Sequence, residues 1–81
     1  MVERQIIVYT CDRCKESENI INLLKELAVD YEERNISKNR AYLKELQTHN
    51  IYSAPAIFIG DKVILGFQKG KISRLIRVES F

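Results

Sequence analysis

Residues 5–28 read QIIVYTCDRCKESENIINLLKELA, and the change of hydrophobic period within them decides the fold. Gln5–Thr10 is a β-branched and aromatic run of the kind that forms a buried strand. From Lys15 to Ala28 the apolar residues Ile20, Ile21, Leu23, Leu24 and Leu27 recur at helical spacing, with charges on the other face. Between the two runs lies only Cys11-Asp12-Arg13-Cys14, which has room for a tight loop and nothing longer. A strand therefore feeds directly into a helix, with a cysteine at each end of the joint.

Working outward, Val29–Ile36 (VDYEERNI) predicts a second strand. Its alternation of Val29 and Tyr31 with charge suits a place near a sheet edge. Ser37 or Asn39 is the candidate cap of a second helix running to about Gln47, with Ala41, Tyr42, Leu43 and Leu46 as its apolar positions. Ala56–Ile59 and Lys62–Leu65 are short strand patterns joined by Gly60-Asp61, a hairpin signal. Ile72, Leu75 and Ile76 then mark a closing helix. The order is βαβαββα. Strand, helix and strand make a right-handed parallel crossover, and the hairpin adds two antiparallel strands. The expectation is an α/β fold with a mixed four-stranded sheet covered by helices, in a single domain spanning 1–81.

Composition narrows the function. At 81 residues, 46% hydrophobic and 30% charged, the chain suits one small globular core. Three Gly and one Pro exclude a collagen-like, linker-rich or disordered chain. Thirteen Lys plus Arg against eleven Asp plus Glu give +2, too little to predict nucleic-acid binding. Lys62, Lys69, Lys71, Arg74 and Arg77 are read as a solvated helix face and its surroundings. The longest apolar run among the first thirty residues, Ile6–Tyr9, is far short of a signal segment or membrane span. A cytoplasmic, membrane-free protein is expected.

The cysteine pair is the chemical feature. Two cysteines placed at random in a chain of this length fall three apart only about once in forty tries. A C-x-x-C between a strand and a helix in a βαβ context is a redox signature. Thiol–disulfide exchange needs a thiolate, and the unpaired N–H groups and dipole of a helix N-terminus stabilise that anion. Arg13 and Lys15 flank Cys14 and push the same way where their side chains turn toward it. A zinc half-site shares the spacing but needs two more ligands, and only His49 is on offer, so no metal is expected. Two inert cysteines in a small core are the bland alternative.

Over nearly its whole length the chain resembles the glutaredoxins, small members of the thioredoxin superfamily. The residues that carry the resemblance are Val8-Tyr9-Thr10, Val29-Asp30-Tyr31-Glu32, Ala54-Pro55, Ile59-Gly60-Asp61 and Gly66-Phe67. The resemblance implies a thioredoxin-like fold and a cis Pro55 facing the active cysteine. It also implies a substrate groove drawn from Ala54, Pro55, Gly66, Phe67 and Gln68. In an alignment without gaps, Cys14 falls on the family's nucleophile and Ser17 on its resolving cysteine. Cys11 then occupies the place of a lysine that helps bind glutathione.

Three outcomes follow from that register. Cys11 resolves from the N-terminal side, or Cys14 exchanges glutathione alone as a monothiol, or a dimer holds an iron–sulfur cluster. Bulky Lys15 and Glu16 speak against the cluster. Gly66-Phe67-Gln68-Lys69 lacks the acid that in glutathione-using relatives follows the matching glycine. The Gly-Phe pattern resembles redoxins that reduce ribonucleotide reductase and are served by thioredoxin reductase. The expected function is a glutaredoxin-like thiol–disulfide oxidoreductase, with Cys14 as nucleophile and Cys11 as resolving thiol. Its expected partners are a protein disulfide and a reductase or glutathione, the latter as co-substrate with no bound cofactor, and it is expected to act as a monomer. A non-catalytic binding module built on the same fold is the competing reading, motivated by Ser17 and the missing glutathione-binding charges.

Overall fold

The computed structural model describes residues 5–79, with side chains to residue 76, so Arg77 of the basic segment lies outside the described side chains. The elements are β1 (Ile6–Thr10), α1 (Lys15–Glu26), β2 (Glu32–Asn35), α2 (Arg40–Thr48), β3 (Ala56–Ile59), β4 (Lys62–Leu65) and α3 (Lys69–Glu79). The sheet runs β2-β1-β3-β4, with β1 and β2 parallel and both β1–β3 and β3–β4 antiparallel. This is the mixed four-stranded sheet and the element order expected from the sequence. No described helix is long and apolar enough to cross a membrane.

Strand periodicity divides the core between the two faces of the sheet. Ile6 and Val8 of β1 join Ile57 and Ile59 of β3 and Ile64 of β4 on one face. Ile20, Leu23 and Leu24 of α1 and Ile72 and Ile76 of α3 cover them. On the other face Tyr9 and Ala56 pack with Leu46 of α2 and with Ile51. β1 is thus covered on both faces and paired on both sides, whereas β2 and β4 are the sheet edges. Val63 and Leu65 of β4 remain exposed.

Helix α1 carries Glu16 and Glu18 in its first turn and Lys25 in its last, an arrangement that complements the helix dipole. It ends earlier than Ala28, the limit suggested by the spacing. Ala28 takes φ 56°, and the Ala28 and Val29 N–H groups bond back to the Lys25 and Leu24 carbonyls. That closure also corrects the second strand, which begins at Glu32 rather than Val29. Val29 and Tyr31 instead pack, partly buried, against the core.

The two candidate caps of α2 have separate uses. Asn39 caps the helix, its side chain accepting from the Ala41 N–H at 3.0 Å. The Ser37 hydroxyl accepts from the Asp12 N–H at 3.0 Å and so ties the β2–α2 turn to the cysteine loop. Gly60 takes φ 60° in the hairpin, a conformation in which glycine avoids the clash of a Cβ.

Two substitutions test this packing by equilibrium denaturation. Ile57 is completely buried in the middle of β3, so Ile57→Ala is expected to destabilise by about 2–5 kcal/mol, a large share of a domain's roughly 5–15 kcal/mol. Ala28→Gly has the opposite sign. Relief of left-handed strain of about 1–2 kcal/mol outweighs about 0.5–1 kcal/mol of extra unfolded-state freedom, for a net gain of about 0.5 kcal/mol. A loss of stability in Ala28→Gly would contradict the helix closure described.

Candidate active site

The site forms where β1 ends and α1 begins. The chain turns sharply between the cysteines, with Arg13 at φ 58°, and delivers Cys14 to the N-cap position of α1 in extended backbone. The Cys14 side chain makes no cap hydrogen bond to the helix, while its carbonyl accepts from the Glu18 N–H at 3.2 Å. Its sulfur therefore sits at the positive end of the helix dipole without being used as a structural cap. Cys11, still in the loop, is fastened to the helix through its backbone. Its N–H donates to the Ser17 hydroxyl at 3.2 Å, and its sulfur lies 3.8 Å from the same oxygen. Ser17, one turn into α1, is only 3% exposed. Asp12 completes the tether: its carboxylate accepts from the Asn35 amide at 3.0 Å.

Both cysteines are free thiols and half-buried, and their acidities diverge. The neighbouring Cys11 thiol, then the Ser17 side chain, with help from the Ser17 backbone, favour the Cys14 thiolate and lower the thiol below the ordinary cysteine value. Burial and the nearby Glu16 charge oppose that shift without reversing it. Burial raises the Cys11 thiol, and its interaction with Cys14 raises it further. The flanking Arg13 and Lys15 are exposed, and the lowering of Cys14 comes mainly from hydrogen bonds.

The remaining candidate residues divide into two groups. Tyr9 pairs with Ala56, so the start of the cysteine loop and Pro55 lie at the same end of neighbouring strands. The Ala54–Pro55 bond is cis, Pro55 is buried, and its carbonyl accepts from the Gly66 N–H at 2.9 Å. Gly66 takes φ 75°, and a Cβ there would lie 3.7 Å from a Glu16 carboxylate oxygen. Space is therefore adequate, and the positive φ is what favours glycine. Ala54, Pro55 and Gly66 thus share a corner with the first turn of α1. Phe67 packs, half-buried, against the core cluster to which α1 and α3 contribute. The Gln68 amide turns back to donate to the Leu65 carbonyl at 2.7 Å. Both act in this structure as anchors for the start of α3.

Sequence reasoning missed three features. Glu16 stands beside Gly66 although the chain has no acid directly after that glycine. Ser17 grips Cys11. Tyr9 is buried, and its hydroxyl donates to Glu45 at 2.9 Å and accepts from Arg34 at 2.9 Å. Burial and Glu45 raise the Tyr9 pKa, and Glu32 foremost raises that of Arg34. His49 is exposed, with its ring against Phe58. Among the described residues no three His, Cys, Asp or Glu side chains are grouped to hold a metal ion.

A family model described as Glutaredoxin matches residues 6–64. The structure is similar to the glutaredoxin grx-1 from Archaeoglobus fulgidus, with TM-score 0.82 and 26% identity over 90% of this chain and 86% of that one. It is similar to the thioredoxin-like protein BC3987, with TM-score 0.82 and 33% identity over 88% of this chain and 99% of that one. NrdH-redoxin from Escherichia coli shares the fold at TM-score 0.79 and 22% identity, over 88% and 93% of the respective chains. No curated protein matches the chain.

Alkylation by iodoacetamide, followed by peptide mapping across a pH series, reads the divergence of the two thiols. Cys14 is expected to react first, with a midpoint below the ordinary cysteine value of about 8.5. Ser17→Ala removes a hydrogen bond that lowers the Cys14 pKa, so the midpoint should move upward in that variant. Equal midpoints for Cys11 and Cys14 would refute the asymmetry.

Proposed function

Because the chain belongs to the glutaredoxin family, we propose that it is a thiol–disulfide oxidoreductase in which Cys14 attacks the substrate and Cys11 resolves. The observation that carries this reading is the position of Cys14. It sits at the α1 N-terminus, with its acidity increased by Cys11 and Ser17. The Cys14 thiolate attacks one sulfur of a substrate disulfide, forming a mixed disulfide and releasing the other substrate sulfur as a thiolate. The Cys11 thiolate then attacks the Cys14 sulfur, forming Cys11–Cys14 and releasing the second substrate thiolate. Two electrons pass to the substrate, and the protein is left oxidised.

The mutual influence of the thiols supports an ordered sequence. Before attack, Cys11 is held protonated by burial and by its interaction with Cys14. Once Cys14 is in a mixed disulfide its negative charge is gone, and that part of the restraint on Cys11 disappears. The resolving thiol therefore becomes easier to deprotonate only when there is a bond for it to break.

Two observations favour a second reading, glutathione exchange by Cys14 alone. Ser17 stands buried one turn beyond Cys14, where the family resemblance implies a resolving cysteine. Glu16 also offers a carboxylate beside Gly66, suited to an ammonium group such as that of glutathione. Under either reading glutathione is a co-substrate rather than a resident cofactor. The proposed setting is a cytoplasmic monomer that meets a protein disulfide and is recharged by a reductase or by glutathione.

Cysteine variants separate these routes. Cys14→Ser should abolish reduction of protein and glutathione mixed disulfides alike, and retained activity would overturn the assignment. Cys11→Ser should lose protein disulfide reduction while keeping glutathione exchange, whereas full activity in both assays would support the monothiol reading. In Cys14→Ser the alkylation midpoint of Cys11 should fall below its wild-type value, since the neighbouring thiolate is absent.

A further inference from the structure

Cys11 has a second open side. A groove of about 380 Å³ lies between the first turns of α1 and the edge strand β2. Its described lining includes Cys11 but not Cys14, Pro55, Gly66 or Phe67. The volume is at the small end of the range for small-molecule sites. Ile21 contributes an apolar wall, and Thr10, only 2% exposed, donates its hydroxyl to Glu33 at 3.0 Å and steadies that carboxylate. Asp12, Glu18 and Glu33 line the groove together with Arg13 and Lys38, so acidic groups outnumber basic ones. Such a site favours a compact cation with a short apolar stem.

We propose that this groove admits a small thiol bearing an ammonium group, which reduces the Cys11–Cys14 disulfide by attacking the Cys11 sulfur. The inference rests on the reading that Cys11 resolves, and it adds where the reducing thiol enters and which sulfur it strikes. The ligand thiolate bonds to the Cys11 sulfur, the Cys11–Cys14 bond breaks, and Cys14 departs as a thiolate. A second molecule of the same thiol attacks the ligand sulfur of the Cys11 adduct. This releases the ligand as its own disulfide and Cys11 as a thiolate, which takes up a proton. Two thiols thereby supply the two electrons that restore the protein.

The direction of attack follows from leaving-group chemistry. Exchange is faster when the expelled thiol is the more acidic one, and Cys14 is the more acidic of this pair. An attacker that reaches Cys11 expels Cys14 as the better leaving group, whereas one that strikes Cys14 must expel Cys11. The groove is lined by Cys11, whose sulfur is the chemically favourable target, and not by Cys14. It also separates the reducing thiol from a disulfide substrate arriving at the Pro55 corner, so the two need not compete for one place.

The test starts from protein oxidised with diamide. Its intact mass and peptide map establish whether Cys11–Cys14 has formed, and its absence would overturn the resolving role itself and this inference with it. With the disulfide present, cysteamine, mercaptoethanol and mercaptoacetate are compared at equal thiolate concentration, with acid quenching and mapping of the adduct. The expected adduct is on Cys11, and the expected order of rates is cysteamine, then mercaptoethanol, then mercaptoacetate. Glu33→Gln keeps an acceptor for Thr10 but removes a charge, and should narrow the cysteamine-to-mercaptoacetate ratio by about threefold, as an exposed ion pair would. An adduct on Cys14, or rates indifferent to charge, would overturn the groove while leaving the resolving role of Cys11 intact.

Discussion

The confinement of β1 governs the rest of the molecule. It is paired on both sides and covered on both faces, so the chain must leave the sheet at Thr10 and enter a helix almost at once. Cys11–Cys14 is all that remains for the turn, and Arg13 adopts a left-handed backbone to complete it. The same steric demand that closes the turn places one cysteine at a helix terminus and the other beside the first helical turn. Chemical asymmetry between two identical side chains is thus a product of chain geometry. One thiol feels helix-terminal N–H groups and hydrogen-bond donors, and the other feels desolvation and its neighbour.

Ser17 connects this geometry to acidity. A hydroxyl there accepts a backbone N–H from Cys11 and contributes a hydrogen bond that lowers the Cys14 pKa. It belongs to a regular helix whose inner face is anchored by Ile20, Leu23 and Leu24, so its oxygen is held by core packing rather than by the loop it serves. Ser37 and Asn35 hold Asp12 from the opposite side. The loop is therefore clamped between a buried helix face and a sheet edge, and neither clamp uses a cysteine sulfur as its main support.

The parts legible in the sequence were those written in local period and punctuation. Ile20 through Leu27 announced α1, Gly60-Asp61 announced the hairpin, and the strand-to-helix joint located the cysteines. Features that depend on residues distant in the chain were not legible. The Tyr9–Glu45 bond spans 36 positions and the Asp12–Ser37 bond spans 25, and neither leaves a periodic trace. Ser37 looked like a cap because serine caps helices, but the nearer Asn39 took that role and left Ser37 for the loop. Ala28 was similarly opaque, since a left-handed helix end is usually signalled by glycine. At the site, comparison of registers pointed to Cys14 and Ser17, whereas the groove beside Cys11 required the β2 edge to be folded against α1.

The two sheet edges are unlike each other. β2 reads Glu32-Glu33-Arg34-Asn35, a strand whose charges discourage another strand from pairing with it, whereas β4 presents Val63 and Leu65 to solvent. The difference bears on colloidal behaviour. Both signs of charge lie along one border, whereas the other carries Lys62 and two exposed aliphatic groups, so β4 is the edge with more apolar surface open to a second molecule. The charged border is the one that touches the cysteine loop.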